Sequence, residues 1–372
     1  MEDVSNNNNS SARPNKYKKI FEQLRQAISD GKYKEGQRIP SETQLSRSCD
    51  ASRLTVARAL KELETLGLID RRPGSGSYVR QQTRAQGRTF GLLIPELGQT
   101  EIFEPICQGM ARASRATHDE LLWSAASHDV ESHEHQALQL CQHYISKDVS
   151  GVFFAPLEFT VHRFEVNRRI LEDFQKTRIP VVLLDRDVCP YPGRSHCDLV
   201  GIDNRRAGYI VTEHLLRNGC QRIVFFGWPN SAATVDQRIE GYREAVRRAG
   251  QSELVEIGDA ESRDSIASLL VKHRPDGFVC GNDRTAGQIM IRLNELGVEI
   301  PGKMKITGID DAKYASFLHV PLTTVRQPCH DIGAAAVWTM IERIAHPTMP
   351  ARDVLLDCQL IVRRSCGAQQ PA

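Results

Sequence analysis

Apolar residues recur along this chain at two different spacings, and the change of spacing divides it. Between Ile39 and Val79 the spacing is helical. Leu45 marks one short segment, and Val56, Ala59, Leu60, Leu63 and Leu66 form a stripe three or four residues apart along a second. Ser41 stands at the head of the first segment with Gln44 three residues on, the spacing of a capping box. Cys49-Asp50-Ala51 interrupts that helix, Ser52 opens the next, and Gly67 ends it. Residues 68–72 and 77–80 are β-compatible and flank Pro73-Gly74-Ser75-Gly76, a turn signal. The order predicts helix, tight turn, helix and a two-stranded wing: a winged helix-turn-helix.

From Phe90 onward the pattern changes to short apolar runs alternating with amphipathic stretches. Strands are expected at 90–94, 121–125, 151–155, 181–185, 199–202, 223–227, 277–280 and 305–309. Between them lie helical segments such as 103–116, 133–145, 205–217, 238–249 and 284–296. Regular alternation predicts parallel sheets covered by helices on both faces, an α/β fold. So many strands exceed one compact unit, so the expectation is two doubly wound lobes, with a ligand cleft beyond the carboxyl ends of the strands. Those ends carry Pro95-Glu96, Asp185-Arg186-Asp187, Trp228-Pro229-Asn230, Asn282-Asp283 and Asp310-Asp311. Between the two parts, residues 81–88 are polar without an apolar stripe. They read as a linker reaching at most about 27 Å at roughly 3.4 Å per residue.

Charge separates the same two parts. Residues 12–88 carry 17 Lys+Arg against 8 Asp+Glu, a net of +9, whereas the chain from Thr89 on carries −5 and the whole only +2. A basic winged head points to double-stranded operator DNA, because each phosphate it neutralises releases counterions. The length of 372 residues suits two or three domains. No run approaches 18 apolar residues and no cleavable leader is evident, so the expectation is a cytoplasmic protein with no membrane partner. Ten scattered cysteines read as reduced thiols. The expected divisions are a disordered tail over 1–14, the DNA-binding head over 15–80, a linker over 81–89, and the two-lobed α/β body over 90–368.

Particular residues match known families. Pro40-Ser41-Glu42, Ser52 to Val56, Ala59-Leu60, Leu63, Gly67-Leu68-Ile69 and Arg72 to Val79 resemble the GntR-type winged-helix head. Pro180 to Arg186, Val200 to Asn204, Arg238 to Tyr242, Cys280 to Asp283, Gly308 to Asp311 and Pro321 to Val325 resemble the effector domain of LacI/GalR-type regulators. A GntR head on a LacI-type body is similar to the arabinose-repressor arrangement. The resemblance implies a homodimeric, ligand-responsive repressor of carbohydrate-utilisation genes, released by a small-molecule effector, a sugar first. Two features depart from the families. Ala57 follows Val56 where many such heads carry arginine, with Arg58 next to it. Residues 81–88 lack the pattern of a hinge helix, so signalling by hinge-helix melting is not expected.

Candidate DNA contacts are Arg38, Ser41, Thr43, Ser52, Arg53, Thr55, Arg58, Lys61, Arg72, Gly74 and Gly76. Arginine can grip guanine O6 and N7 with two hydrogen bonds, while Ser, Thr and Lys mostly hold phosphates. Gly74 and Gly76 allow the wing tip to approach a backbone closely. For the cleft, Arg238 and Asp310 resemble the family residues that bind effector hydroxyls; an Arg and a carboxylate each bridge neighbouring hydroxyls. Asp185 and Asn282 are companions, and Phe103 or Trp228 could face a sugar ring, although core packing explains either aromatic equally well. The alternative for Arg238 and Asp310 is an interlobe salt bridge, and Asp203 and Asn204 read as a helix cap.

Histidines 128, 133, 135 and 143 lack metal-ligand order and read as a solvated helix face; Cys189, His196 and Cys197 read as loop residues. No nucleophile elbow, phosphate loop or dinucleotide fingerprint occurs, so no catalytic residue, metal or cofactor is expected. Three alternatives stand beside the sugar-responsive repressor. The body could be enzyme-like, of the pyridoxal-phosphate type found behind some GntR heads. It could sense a purine or other small metabolite. It could also be a dimerisation module without ligand.

Overall fold

The computed structural model describes residues 16–29, 32–34, 36–65, 68–72, 75–79, 87–95, 97, 101–123 and 132–368. The chain divides into two compact units, one ending at Gln86 and the other beginning at Gly87.

The first unit contains α1 (Lys16–Ser29), α2 (Glu42–Ser48), α3 (Arg53–Thr65), β1 (Ile69–Arg72) and β2 (Gly76–Val79). Ser41 caps α2 reciprocally: its hydroxyl accepts from the Gln44 amide, and Gln44 Oε1 accepts from the Ser41 amide at 2.8 Å. Asp50 turns the chain with φ +45, and Ser52 Oγ then accepts from the Thr55 amide at 3.2 Å to open α3. The stripe Val56, Ala59, Leu60 and Leu63 is fully buried and meets Ile20 and Leu24 of α1, Leu45 of α2, and Ile69 and Val79 of the wing. Leu66, Gly67 and the 1–14 tail lie outside the described residues. β1 and β2 pair antiparallel with Ile69 opposite Val79, and the segment 36–39 adds to the wing through Ile39 N to Ser77 O and Val79 N to Gln37 O, both 2.9 Å.

The second unit opens with β3 (Thr89–Leu93), α4 (Phe103–Thr117), β4 (Glu120–Leu122), α5 (His133–Ser146), β5 (Gly151–Phe154), α6 (Arg163–Lys176), β6 (Val181–Leu184) and β7 (Asp198–Ile202). It continues with α7 (Asn204–Arg217), β8 (Ile223–Gly227), α8 (Ala233–Arg248), β9 (Val255–Ile257), α9 (Arg263–His273), β10 (Gly277–Cys280), α10 (Asp283–Glu295) and β11 (Lys305–Thr307). The last elements are β12 (Thr324–Arg326), α11 (Cys329–Ala345), β13 (Asp353–Leu356) and β14 (Gln359–Ile361). Two sheets result. One has the order β13-β7-β6-β5-β3-β4, the other β11-β10-β8-β9, and every neighbouring pair is parallel. In each sheet the winding reverses beside its first strand, β3 or β8, which is where such sheets leave a crevice.

The chain crosses between the sheets three times: after β7, between β11 and α11, and between β13 and β14. The antiparallel ribbon β12–β14 lies at these crossings. Asp311 is tied there by Arg326 Nε at 2.6 Å and Arg363 Nη2 at 2.5 Å. Helices α7 and α8 cross closely because Gly208 and Gly241 face each other's backbone. A Cβ at either would overlap the carbonyl of Arg238 or of Arg205. That approach sets Arg238 of α8 beside Asn204 of α7.

Several elements differ from expectation. Thr89, placed in the linker for its polarity, pairs in β3, and Arg88 before it is held by Asp119 through two side-chain bonds of 2.9 and 3.0 Å. Helix α8 starts at Ala233 rather than 238, and α6, α9 and α11 with β9, β12, β13 and β14 had no counterpart in the sequence pattern. All ten cysteines are free thiols. Among the described residues no helix is long and apolar enough to cross a membrane, and no cluster of His, Cys, Asp or Glu could hold a metal ion.

Candidate nucleic-acid interface and ligand cleft

The head gathers most of its expected DNA contacts around α3 and the wing. Arg53 is exposed at the first position of α3, with Ser52 and Thr55 hydroxyls 2.8 Å apart beside it. Arg58 is exposed and lies over the Tyr17 ring, 4.4 Å from its centroid, so its charge is steadied by a cation–π contact; Lys61 is exposed one turn on. Ser41 and Thr43 stand at the start of α2, where Arg71 bonds to Glu42. Arg38 pairs with Tyr78 in the wing and its guanidinium lies against Gly76, whose φ of +120 suits glycine. Arg72 pairs with Gly76 through the backbone, and Gly74 lies outside the described residues.

In the second unit a cleft opens beyond the carboxyl ends of both sheets. Glu101, Phe103, Glu158, Phe159, Asp185, Arg186, Thr234, Arg238, Asn282, Arg284 and Asp310 are among its walls. Five of the six expected effector residues are therefore brought together. Two arginines organise the space. Arg238, 4% exposed, donates from Nε to Asn204 Oδ1 at 2.8 Å and from Nη1 to the Gly281 carbonyl at 2.7 Å. Its Nη2 stands 3.5 Å from Asp310 Oδ1. Arg186 donates to the Pro156 carbonyl and to Glu158 Oε1, both at 2.7 Å, and lies 5.4 Å from the centroid of the Phe103 ring. Each guanidinium is thus held in place at the cleft wall by charge-assisted hydrogen bonds.

The carboxylates tell what the cleft lacks. Asp185 is buried with φ +67, and its Oδ1 has no hydrogen-bond partner. Burial pushes its carboxyl above the usual range against the pull of Arg186 and Arg238. Asp310 has φ +130, a conformation residues other than glycine rarely adopt and one that tends to persist at functional sites. Gln327 donates to its Oδ1 at 2.8 Å. Burial pushes the Asp310 carboxyl up to about 8, opposed by Arg238 and reinforced by Asp283. Because the folded form holds this proton more tightly than the unfolded chain, the contribution is most favourable below about 4 and is lost as pH rises through 8. Asp310→Asn, which mimics the protonated acid, is expected to lose less stability than the wild type between pH 5 and pH 9. Urea unfolding at a series of pH values checks this; parallel curves for the two proteins would contradict it.

The walls also touch one another across the cleft. Glu158 Oε2 accepts from the Ala232 amide at 3.3 Å, the Phe159 amide donates to the Asn230 carbonyl at 2.7 Å, and Arg163 Nη1 donates to Asn230 Oδ1 at 3.0 Å. The space left is a cavity of about 50 Å³, room for a few waters at roughly 10–15 Å³ each.

One expected effector residue is misplaced. Trp228 is not a wall of the cleft: its indole donates to Gln288 Oε1 at 3.2 Å and packs on the core of the second sheet. Asn282 does line the cleft, but its Oδ1 caps α10 by accepting from Thr285 N at 2.9 Å and Thr285 Oγ1 at 2.7 Å. Asp203 caps α7, whereas Asn204 supports Arg238. Glu158, Phe159, Thr234 and Arg284 had no signal in the sequence, because only the fold carries them to the strand ends.

A basic winged-helix head and a two-sheet body with a polar cleft define a DNA-binding transcription regulator with a receptor domain. Residues 16–79 match the gntR family of bacterial regulatory proteins, and residues 212–366 match the periplasmic binding protein-like domain. The chain is 26% identical over 365 residues to an arabinose metabolism transcriptional repressor of Geobacillus stearothermophilus, covering 94% of this chain and 97% of that one. It is 28% identical over 287 residues to the ribose operon repressor of Escherichia coli (strain K12), covering 75% and 82%. The crystal structure of a transcription regulator GntR from Chromobacterium violaceum aligns with a TM-score of 0.59 and 28% identity, over 76% of this chain and 100% of that one. The chain thus joins a gntR-family head to a periplasmic binding protein-like body.

Proposed function

We propose that this protein represses carbohydrate-utilisation genes and leaves its operator when a sugar enters the cleft. The observation that carries the sugar reading is Asp185 Oδ1, a buried acceptor without a partner on the cleft wall. A hydroxyl donor completes it, and Arg238 with Asp310 offers a cation and an acceptor to neighbouring hydroxyls. The names of the arabinose and ribose repressors support the same class of ligand. The protein acts by binding rather than by catalysis, as a cytoplasmic homodimer on a palindromic operator of double-stranded DNA. Since the cavity is smaller than a sugar ring, entry requires the two sheets to part, and closure around the ligand shifts an equilibrium between body conformations. Arg53, Arg58, Lys61 and Arg38 hold the duplex; Phe103, Asp185, Arg238, Asn282 and Asp310 hold the effector.

A thermal-shift panel of pentoses, hexoses, nucleosides and amines tests this reading. Ligand at 100-fold excess over its Kd should stabilise the protein by about 2.7 kcal/mol. The stabilising sugar should then release the protein from its operator in a gel shift. Stabilisation by a nucleoside alone would move the effector class. No stabilisation by any compound would leave the body as a dimerisation module.

A further inference from the structure

The outward face of α3 carries an apolar patch that the proposed DNA contacts do not use. Leu54 is 83% exposed, the most exposed large apolar side chain described in the head. At about 100° per residue, Leu54 points roughly 170° away from the mean direction of Val56, Ala59, Leu60 and Leu63. It therefore stands directly opposite the buried stripe. Ala57, half-buried, follows one turn along the same face, and Arg58 and Lys61, both exposed, flank the pair. Single exposed leucines are ordinary on protein surfaces; the placement of this one is not. It sits between Arg53 and Thr55 in the first turn of the helix, where a polar side chain would fit as well. Ser52 and Thr55 bond to each other and Arg58 lies on Tyr17. Leu54 has no such company inside the head.

We propose that Leu54, with Ala57 beside it, reads thymine through its C5 methyl group in the major groove, and so sets base preference next to the contact made by Arg53. This rests on the reading that α3 enters the groove. The thymine methyl is the one apolar feature a base pair shows on that side, and it distinguishes T·A from every other pair by contact with an apolar side chain. A small Ala57, where many such heads place arginine, leaves the helix surface open for that approach. Leucine supplies reach and alanine supplies room.

The test uses the full-length protein and a duplex it selects from a random-sequence pool. Each thymine of that duplex is replaced in turn by deoxyuridine, which removes only the methyl and keeps every hydrogen-bonding group. At one or two positions the wild type should bind about fourfold more weakly, the loss expected for one methyl contact. Leu54→Ala should bind the thymine duplex more weakly by a similar factor and be indifferent to deoxyuridine there, with unchanged affinity for unselected DNA. Leu54→Met, of similar length and apolarity, should keep the deoxyuridine penalty. The proposal is overturned if no thymine shows a penalty, if the penalty survives in Leu54→Ala, or if Leu54→Ala loses unselected DNA equally. Failure of the α3 reading itself looks different: Arg53→Ala would then bind the selected duplex as well as the wild type.

Discussion

Arg53→Ala is expected to weaken binding to the selected operator by roughly 5- to 150-fold, the range for one bidentate arginine–guanine contact, and to leave the effector-induced thermal shift unchanged. Arg53 opens α3 and is exposed, so its removal touches no buried contact and should not alter the stability of the head. The variant also separates base reading from phosphate holding. If Arg53 grips a guanine edge, preference at one base pair collapses while the salt dependence of binding barely changes. If it holds a phosphate, affinity falls equally on all sequences and the salt slope drops by about one counterion. Arg53→Lys should keep only part of the preference in the first case, because an ammonium lacks the rigid planar fork that matches the guanine edge. Fluorescence anisotropy on selected and scrambled duplexes at several salt concentrations distinguishes these. Undiminished affinity and preference would end the assignment of α3 as the reading helix.

How legible the molecule was depended on whether a feature is local. The capping box at Ser41 and Gln44 and the stripe from Val56 to Leu63 are each decided within one helix, so α2, α3 and the wing could be read from the sequence, whereas α1, which supplies Ile20 and Leu24 to the same core, was not. Strands β5, β6 and β8 are buried along their whole length, so they stand out as apolar runs. Helix α6 did not. Only Asn167, Ile170 and Phe174 are buried among its fourteen residues, and no side chain caps its start. Helix α11 is obscured for another reason: Gly333 lies against the α4 backbone at Ile106, and the run of small residues from Gly333 to Ala336 gives little amphipathic contrast.

The cleft was legible at strand ends and illegible elsewhere. Asp185 and Asp310 could be named because the end of an apolar run is a topological position visible in the sequence. The direction of a side chain at such an end is not visible, which is why Trp228 was misplaced: it turns to Gln288 and the core. Arg186 stood at a strand end in the sequence, but its partner Glu158 became apparent only once β5 and β6 lay side by side.

Arg238→Met should abolish the effector response and destabilise the body by about 3–5 kcal/mol, the usual consequence of removing one partner from a buried charged pair. The methionine fills similar volume but leaves Asn204 Oδ1, the Gly281 carbonyl and Asp310 Oδ1 without the guanidinium they share. Asp185 and Asp310 also lose a positive charge that lowers both. Their carboxyls then rise further, so the loss should deepen with alkalinity. At pH 6, below its value of about 8, Asp310 keeps its proton with or without Arg238 and the pair contributes little, whereas at pH 9 the wild type holds an anion opposed by Arg238 that the variant cannot match. Adding Asp310→Asn should recover part of the loss at pH 9 and little at pH 6, a coupling that independent sites would not show. Urea midpoints of the two single variants and the double variant at both pH values measure it. Additive effects at pH 9 would mean that Arg238 and Asp310 do not sense each other, and the cleft would lose its central pair.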